Sequence, residues 1–168
     1  MALGFIWIDL LTKFPDAELW LIQNYSREKW DEGCSQFGWM YLFIGSENDL
    51  AKDVRIKFDH AKLSDGTCKY TARKDLEVEP SKIVGIQRLN LDKVQTGYEN
   101  ALVAAQAAVN SPYKVWWAKL ITPLHPATKG RVFWNFKGPV ECSKGAELTI
   151  DAATGKLEPL FSTIPLCP

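Results

Sequence analysis

The chain has 168 residues, of which 46% are hydrophobic and 24% charged, with 20 basic residues against 20 acidic ones. Such a composition belongs to a folded globular protein and excludes a disordered one. The balanced charge gives no electrostatic footprint for nucleic acid or an anionic membrane surface, and the longest apolar runs, 3–11 and 101–109, are far short of the roughly 20 residues that a membrane span needs.

The first residues, Met-Ala-Leu-Gly-Phe-Ile-Trp-Ile-Asp, lack the basic start and small-residue cleavage site of an export signal. Two compartments stay open: the cytoplasm, or the periplasm or exterior if a signal has been removed. After an ambiguous apolar start, Pro15, Asp16 and Glu18 read as the first turn of a helix, because proline is tolerated there and carboxylates suit the positive helix end. The spacing of Leu19, Ile22 and Tyr25 carries this helix to Trp30, with a stop near Gly33. Trp20, Leu21 and Trp30 broaden its apolar surface beyond one stripe.

Strands are expected over Phe37–Ile44 and over Val54–Asp59, where Val54, Ile56 and Phe58 alternate with charged residues. Gly45–Lys52 between them reads as a polar loop. Asp65-Gly66 marks a hairpin turn into a strand at Cys68–Arg73. Lys74–Ser81 is charged, contains Pro80 and reads as a linker; Lys82–Ile86 is a short strand.

Leu91, Val94, Tyr98, Ala101, Leu102, Ala105 and Val109 stand at helical spacing, with Asn90 as N-cap and Asn110-Ser111-Pro112 as the stop. The alanines of 104–108 allow close approach to a sheet. Strands follow at Tyr113–Ile121 and Arg131–Lys137, separated by the proline-containing loop Thr122–Gly130. After a loop at Gly138–Gly145, Ala146–Ile150 pairs with Lys156–Phe161 across an Asp151–Gly155 turn, and Pro159 puts the last strand at an edge. The expected fold class is therefore α+β, antiparallel sheet with packed helices. The order of elements suggests tandem αβββ units, residues 1–80 and 81–168, as two lobes or one continuous domain.

The second half resembles PepSY-type domains and, more broadly, cystatin-like helix-on-sheet folds. The resemblance is carried by the small-residue helix Tyr98–Val109 and by Leu148-Thr-Ile-Asp-Ala-Ala-Thr-Gly-Lys156, which is similar to the Asp-x-x-Thr-Gly-Lys turn that commonly joins that family's last two strands. It covers roughly the last 70 residues. It implies a non-enzymatic, extracytoplasmic domain with an inhibitory or binding role beside peptidases and envelope proteins. The proline-rich loop between helix and strands departs from that pattern, and the first half has no such turn.

The four cysteines, Cys34, Cys68, Cys142 and Cys167, show no CxxC spacing, which argues against a zinc cluster. Their even number suits disulfides in an oxidising compartment, though buried free thiols are the plainer alternative; pairing within halves is one of three connectivities. The two histidines, His60 and His125, are far apart and make no metal site. No phosphate-cradling glycine pattern occurs, and the paired acids (Asp31 and Glu32, Glu47 and Asp49, Asp151 and Glu158) read as surface charge. No catalytic residue, cofactor or metal is expected.

Consecutive side chains of a strand point to opposite faces. Trp116 and Trp117 therefore diverge, as do Phe133 and Trp134, so one helix cannot cover them all. Trp116, Trp117, Phe133, Trp134 and His125 are accordingly the expected partner-binding residues, unless a loop or the first lobe covers the second face. The function expected is a non-catalytic protein-binding module, an inhibitor or bacterial immunity-type protein occluding a toxin or peptidase, or assembling as a homodimer. The alternative is a carrier or enzyme with an apolar pocket between helix and sheet, lined by Tyr98 and by Trp116 or Trp134.

Overall fold

The computed structural model describes residues 9–26, 37–62, 64–65, 68–72, 77–109, 113, 115–140 and 143–164, with the backbone alone at 25–26, 37–38, 57–62, 68–72 and 143–144. The chain divides into two compact units, Met1–Val84 and Gly85–Pro168. Its fold class is α+β, with antiparallel strands throughout the paired elements.

In the first unit a short helix, α1 (residues 9–13), precedes five strands: β1 (Glu18–Ser26), β2 (Phe37–Glu47), β3 (Leu50–Lys62), β4 (Cys68–Ala72) and β5 (Glu77–Pro80). They are ordered β4-β3-β2-β1. β5 also pairs with β3, its Lys52–Arg55 end lying against β5 and its far end against β4. The helix expected from Phe14 to Trp30 is absent over the described residues 14–26. Its central residues are β1, paired with β2 through a bulge between Leu19 and Leu21. Pro15 and Asp16 form a turn instead of a helix start, and the Asp16 carboxylate accepts the Ser46 N–H at 3.0 Å. The reason is in the residues that blurred the helical stripe. Trp20 and Leu21 fit a pleated, doubly contacted surface, and a short apolar run does not by its period distinguish buried helix from buried strand.

The expected loop Gly45–Lys52 is also sheet: β2 and β3 run on to a two-residue turn. Asn48 and Asp49 both take positive φ, 52° and 61°, which the short polar side chains of Asn and Asp tolerate. Part of the expected linker, Glu77–Pro80, is the edge strand β5. The core of this unit gathers Leu10, Phe14, Phe43, Val54 and Ile56, with Ala17, Leu19, Tyr41 and Val78 packed on it. Gly45 is required here, because a Cβ in its place would meet the Phe14 Cβ at 2.9 Å.

The second unit contains β6 (Ile86–Gln87), α2 (Tyr98–Val109), β7 (Trp117–Pro123), β8 (Phe133–Val140) and β9 (Ser143–Asp151), with β6 on the end of β7 and β8 between β7 and β9. α2 lies on β8 and β9, with Ala101 and Ala105 fully buried. It starts seven residues later than the apolar spacing predicts. Asn90 caps a separate 3-10 turn at Leu91–Lys93, accepting the Asp92 N–H at 3.0 Å, and Leu91 is half exposed. The chain between is fastened elsewhere: the N–H groups of Gln95 and Thr96 both donate to the Ala152 carbonyl, at 2.9 and 2.8 Å.

The hairpin end of the sheet differs likewise. The expected loop Gly138–Gly145 is largely strand, with a bulge between Gly138 and Val140 that accommodates Pro139. Tyr113 makes one bridge to Val140, and β7 proper begins at Trp117. The expected last strand Lys156–Phe161 is reduced to a bridge at Leu157, after which Pro159 starts a 3-10 turn to Phe161.

Candidate functional site

The sheet of the second unit presents two faces. Ala118, Leu120, Trp134, Phe136, Leu148 and Ile150 share the face toward α2 by register, and all are buried. Tyr98 at the start of α2 packs its ring 5.8 Å from both Trp134 and Phe136. The Trp134 indole N–H donates to the Thr96 carbonyl at 2.8 Å. Of the aromatic residues expected to line a pocket, Tyr98 and Trp134 are therefore packed on one another and tie the helix start to the middle strand, whereas Trp116 is exposed.

The opposite face, carried by Trp117, Lys119, Ile121, Phe133, Asn135, Lys137, Glu147, Thr149 and Asp151, has three zones. At one end Phe133 is completely buried: the Arg131 guanidinium lies over its ring at 4.9 Å and Phe161 meets it edge-on at 6.0 Å. Arg131 also binds Asp151 at 3.2 Å and Glu158 at 2.8 Å. This holds the C-terminal segment beside the Asp151 turn, where the other carboxylate oxygen accepts the N–H groups of Ala153 and Thr154.

The middle zone is a chain of hydrogen bonds. Asn135 donates from Nδ2 to the Thr149 hydroxyl at 2.9 Å, and that hydroxyl donates to the Phe161 carbonyl at 2.7 Å. The chain fixes which way the Asn135 amide points and leaves its buried Oδ1 without a partner among the described residues.

The third zone is different in character. The Trp117 ring, half-buried, has the Lys119 ammonium 5.0 Å and the Lys137 ammonium 6.0 Å from its centre. Both distances lie within cation–π range. Both lysines are half-buried, and neither has a carboxylate within ion-pair distance among the described residues. Glu147 stands opposite Lys137 in the register, and its charge, after burial itself, helps push the phenol of Tyr113 above its usual range. Next to this zone Trp116 is 47% exposed, its N–H held by the Lys137 carbonyl at 2.8 Å.

The five expected partner-binding residues thus part company. Trp116 and Trp117 sit together at the start of β7. Phe133 and Trp134 do diverge to opposite faces, but both are sealed in the protein, 0% and 5% exposed, so neither is left for a partner; the cover over Phe133 is the C-terminal loop. His125 is exposed, yet its Nδ1 accepts the Ala127 N–H at 3.2 Å to cap the turn at Pro126–Thr128, and its ring packs on Phe161. Lys119 and Lys137 were not singled out from sequence. Alternation with Ala118 and Leu120 puts Lys119 on the face of Trp117, and alternation with Phe136 puts Lys137 on one face of β8, but only the register brings Lys137 to the same indole.

Cys34, Cys142 and Cys167 lie outside the described residues, as does the side chain of Cys68, so the disulfide expectation falls outside them too. Among the described residues no three His, Cys, Asp or Glu side chains gather as a metal site, and no helix is long and apolar enough to cross a membrane. Comparison with protein-family models, with curated proteins and with solved structures finds no match to this chain.

Proposed function

We propose that the protein is a non-catalytic binding module that occludes a partner protein, in the manner of bacterial inhibitors and immunity-type proteins, with a toxin or peptidase as the class of partner. The observation that carries this reading is the half-exposed Trp116 beside Trp117 and its two ammonium groups, at the start of β7 in the antiparallel sheet. Tryptophan is enriched among the few residues that dominate binding, because it buries much area at small entropic cost. The α2 helix laid on β8 and β9, with its Asp151–Lys156 turn, supports the PepSY-like or cystatin-like reading of this unit and the inhibitory role that goes with it.

The test is affinity capture from native extract with wild-type protein and with Trp116→Ala, followed by titration of the captured protein. The expected result is one discrete partner, bound more weakly to the variant by about 2 kcal/mol or more. A partner that binds both proteins equally, or a wild-type chain that stays monomeric and captures nothing, defeats the proposal.

A further inference from the structure

The binding-module reading leaves the partner's chemistry open, and the exposed end of the sheet narrows it. We propose that the Trp117 zone receives an extended acidic segment of the partner protein, two of its carboxylates two residues apart settling on Lys119 and Lys137. This inference rests on the binding-module reading.

Three observations carry it. The first is charge: the ammonium groups of two half-buried lysines share one indole and have no ion-pair partner among the described residues. An incoming carboxylate would compensate each of them, and charge-assisted hydrogen bonds are the stronger kind. The second is spacing. Lys137 pairs directly with Trp117, and Lys119 with Asn135, so the lysines are diagonal neighbours on one face. Diagonal neighbours stand about 7–8 Å apart, and alternate side chains of an extended strand about 7 Å apart. A segment with acids at i and i+2 therefore matches the spacing of the two lysine positions on the sheet.

The third observation separates a peptide from a nucleic acid. The ring that a base would stack on already lies beneath two ammonium groups, so stacking must displace them, whereas a carboxylate binds them where they are. Glu147, opposite Lys137 on the same face, repels any incoming anion, and the repulsion grows with the number of charges, so a continuous run of phosphates is disfavoured more than two isolated carboxylates.

The experiment is fluorescence anisotropy of the full chain with a labelled peptide of alternating glutamate and threonine. Its controls are the isosteric glutamine–threonine peptide, a lysine–threonine peptide and a single-stranded oligonucleotide of equal charge. The acidic peptide is expected to bind, to lose about tenfold or more in affinity in K119Q/K137Q, and to weaken as salt is raised. The charge-reversed K119E/K137E is expected to reject the acidic peptide and accept the basic one, a gain that unfolding cannot mimic; circular dichroism and urea midpoints of the variants check the fold. Equal binding of the glutamine peptide, tighter binding of the oligonucleotide, or indifference to K119Q/K137Q overturns the inference. If the wild-type chain ignores the acidic peptide while Trp116→Ala still loses its captured partner, the acidic inference falls and the binding-module reading stands.

Discussion

Gly155 offers a quantitative test of how the turn after β9 is held. Its φ is +69°, and a Cβ there would meet the Thr96 hydroxyl oxygen at 3.2 Å. A left-handed conformation costs an L-residue about 1–2 kcal/mol, offset by about 0.4–1 kcal/mol because alanine has less freedom than glycine in the unfolded chain. That alone predicts a net loss of about 1 kcal/mol. The contact adds to it, because Thr96 has little room to retreat: its N–H donates to the Ala152 carbonyl at 2.8 Å and its carbonyl accepts the Trp134 indole at 2.8 Å. Overpacking of this kind costs about 1 kcal/mol more.

Gly155→Ala should therefore lose about 2 kcal/mol in urea denaturation. Gly85 is the internal control, with φ +77° and nothing within 4 Å of a built Cβ, so Gly85→Ala should lose only about half as much. Adding Thr96→Ala to Gly155→Ala should return part of the excess, read as a positive coupling in a double-mutant cycle. If Gly155→Ala costs no more than Gly85→Ala, or if the cycle shows no coupling, the fastening of the 94–97 segment to the turn is not what holds this region.

Further outcomes follow from the same contacts. Gly45→Ala should cost about 1–3 kcal/mol by urea denaturation, because the Phe14 Cβ it strikes cannot swing away as a flexible chain end would. Removing the Arg131 guanidinium by Arg131→Met strands the Asp151 and Glu158 carboxylates, which are 8% and 14% exposed, but Arg131 is itself 41% exposed and solvent screens part of the effect. A loss of about 1–2 kcal/mol is expected, with faster amide exchange at 157–163. Burial first, then the Glu147 charge, raises the Tyr113 phenol pKa, and burial also raises that of Tyr41. Their stabilising contribution is complete below about pH 10, the ordinary phenol value, and is lost as pH rises above it. Tyr113→Phe should flatten the alkaline fall in thermal stability while costing about 1 kcal/mol or less at neutral pH, since only a 3.4 Å hydrogen bond to the Ala146 carbonyl is lost.

Sequence patterning by itself determined the antiparallel α+β class, the alternating strand at Val54, the Ala-rich helix and the Asp151–Gly155 turn, because each depends on residues within a few positions of one another. Tertiary structure decided the rest. Whether 18–26 coil or extend depended on the β2 partner that pairs with them, since their apolar residues suit either state. Whether Leu91 and Val94 join α2 depended on the Ala152 carbonyl, some sixty positions away, which holds the backbone of 95–96 outside the helix. The candidate site shows the same division. Alternation along a strand says that Trp116 and Trp117, or Phe133 and Trp134, face opposite ways, but not which faces are covered. The C-terminal loop covers Phe133, and the α2 start covers Trp134. Alternation along β7 puts Lys119 on the face of Trp117, but only the strand register brings Lys137 there, because cross-strand neighbours are chosen by hydrogen bonding between segments that no local pattern connects.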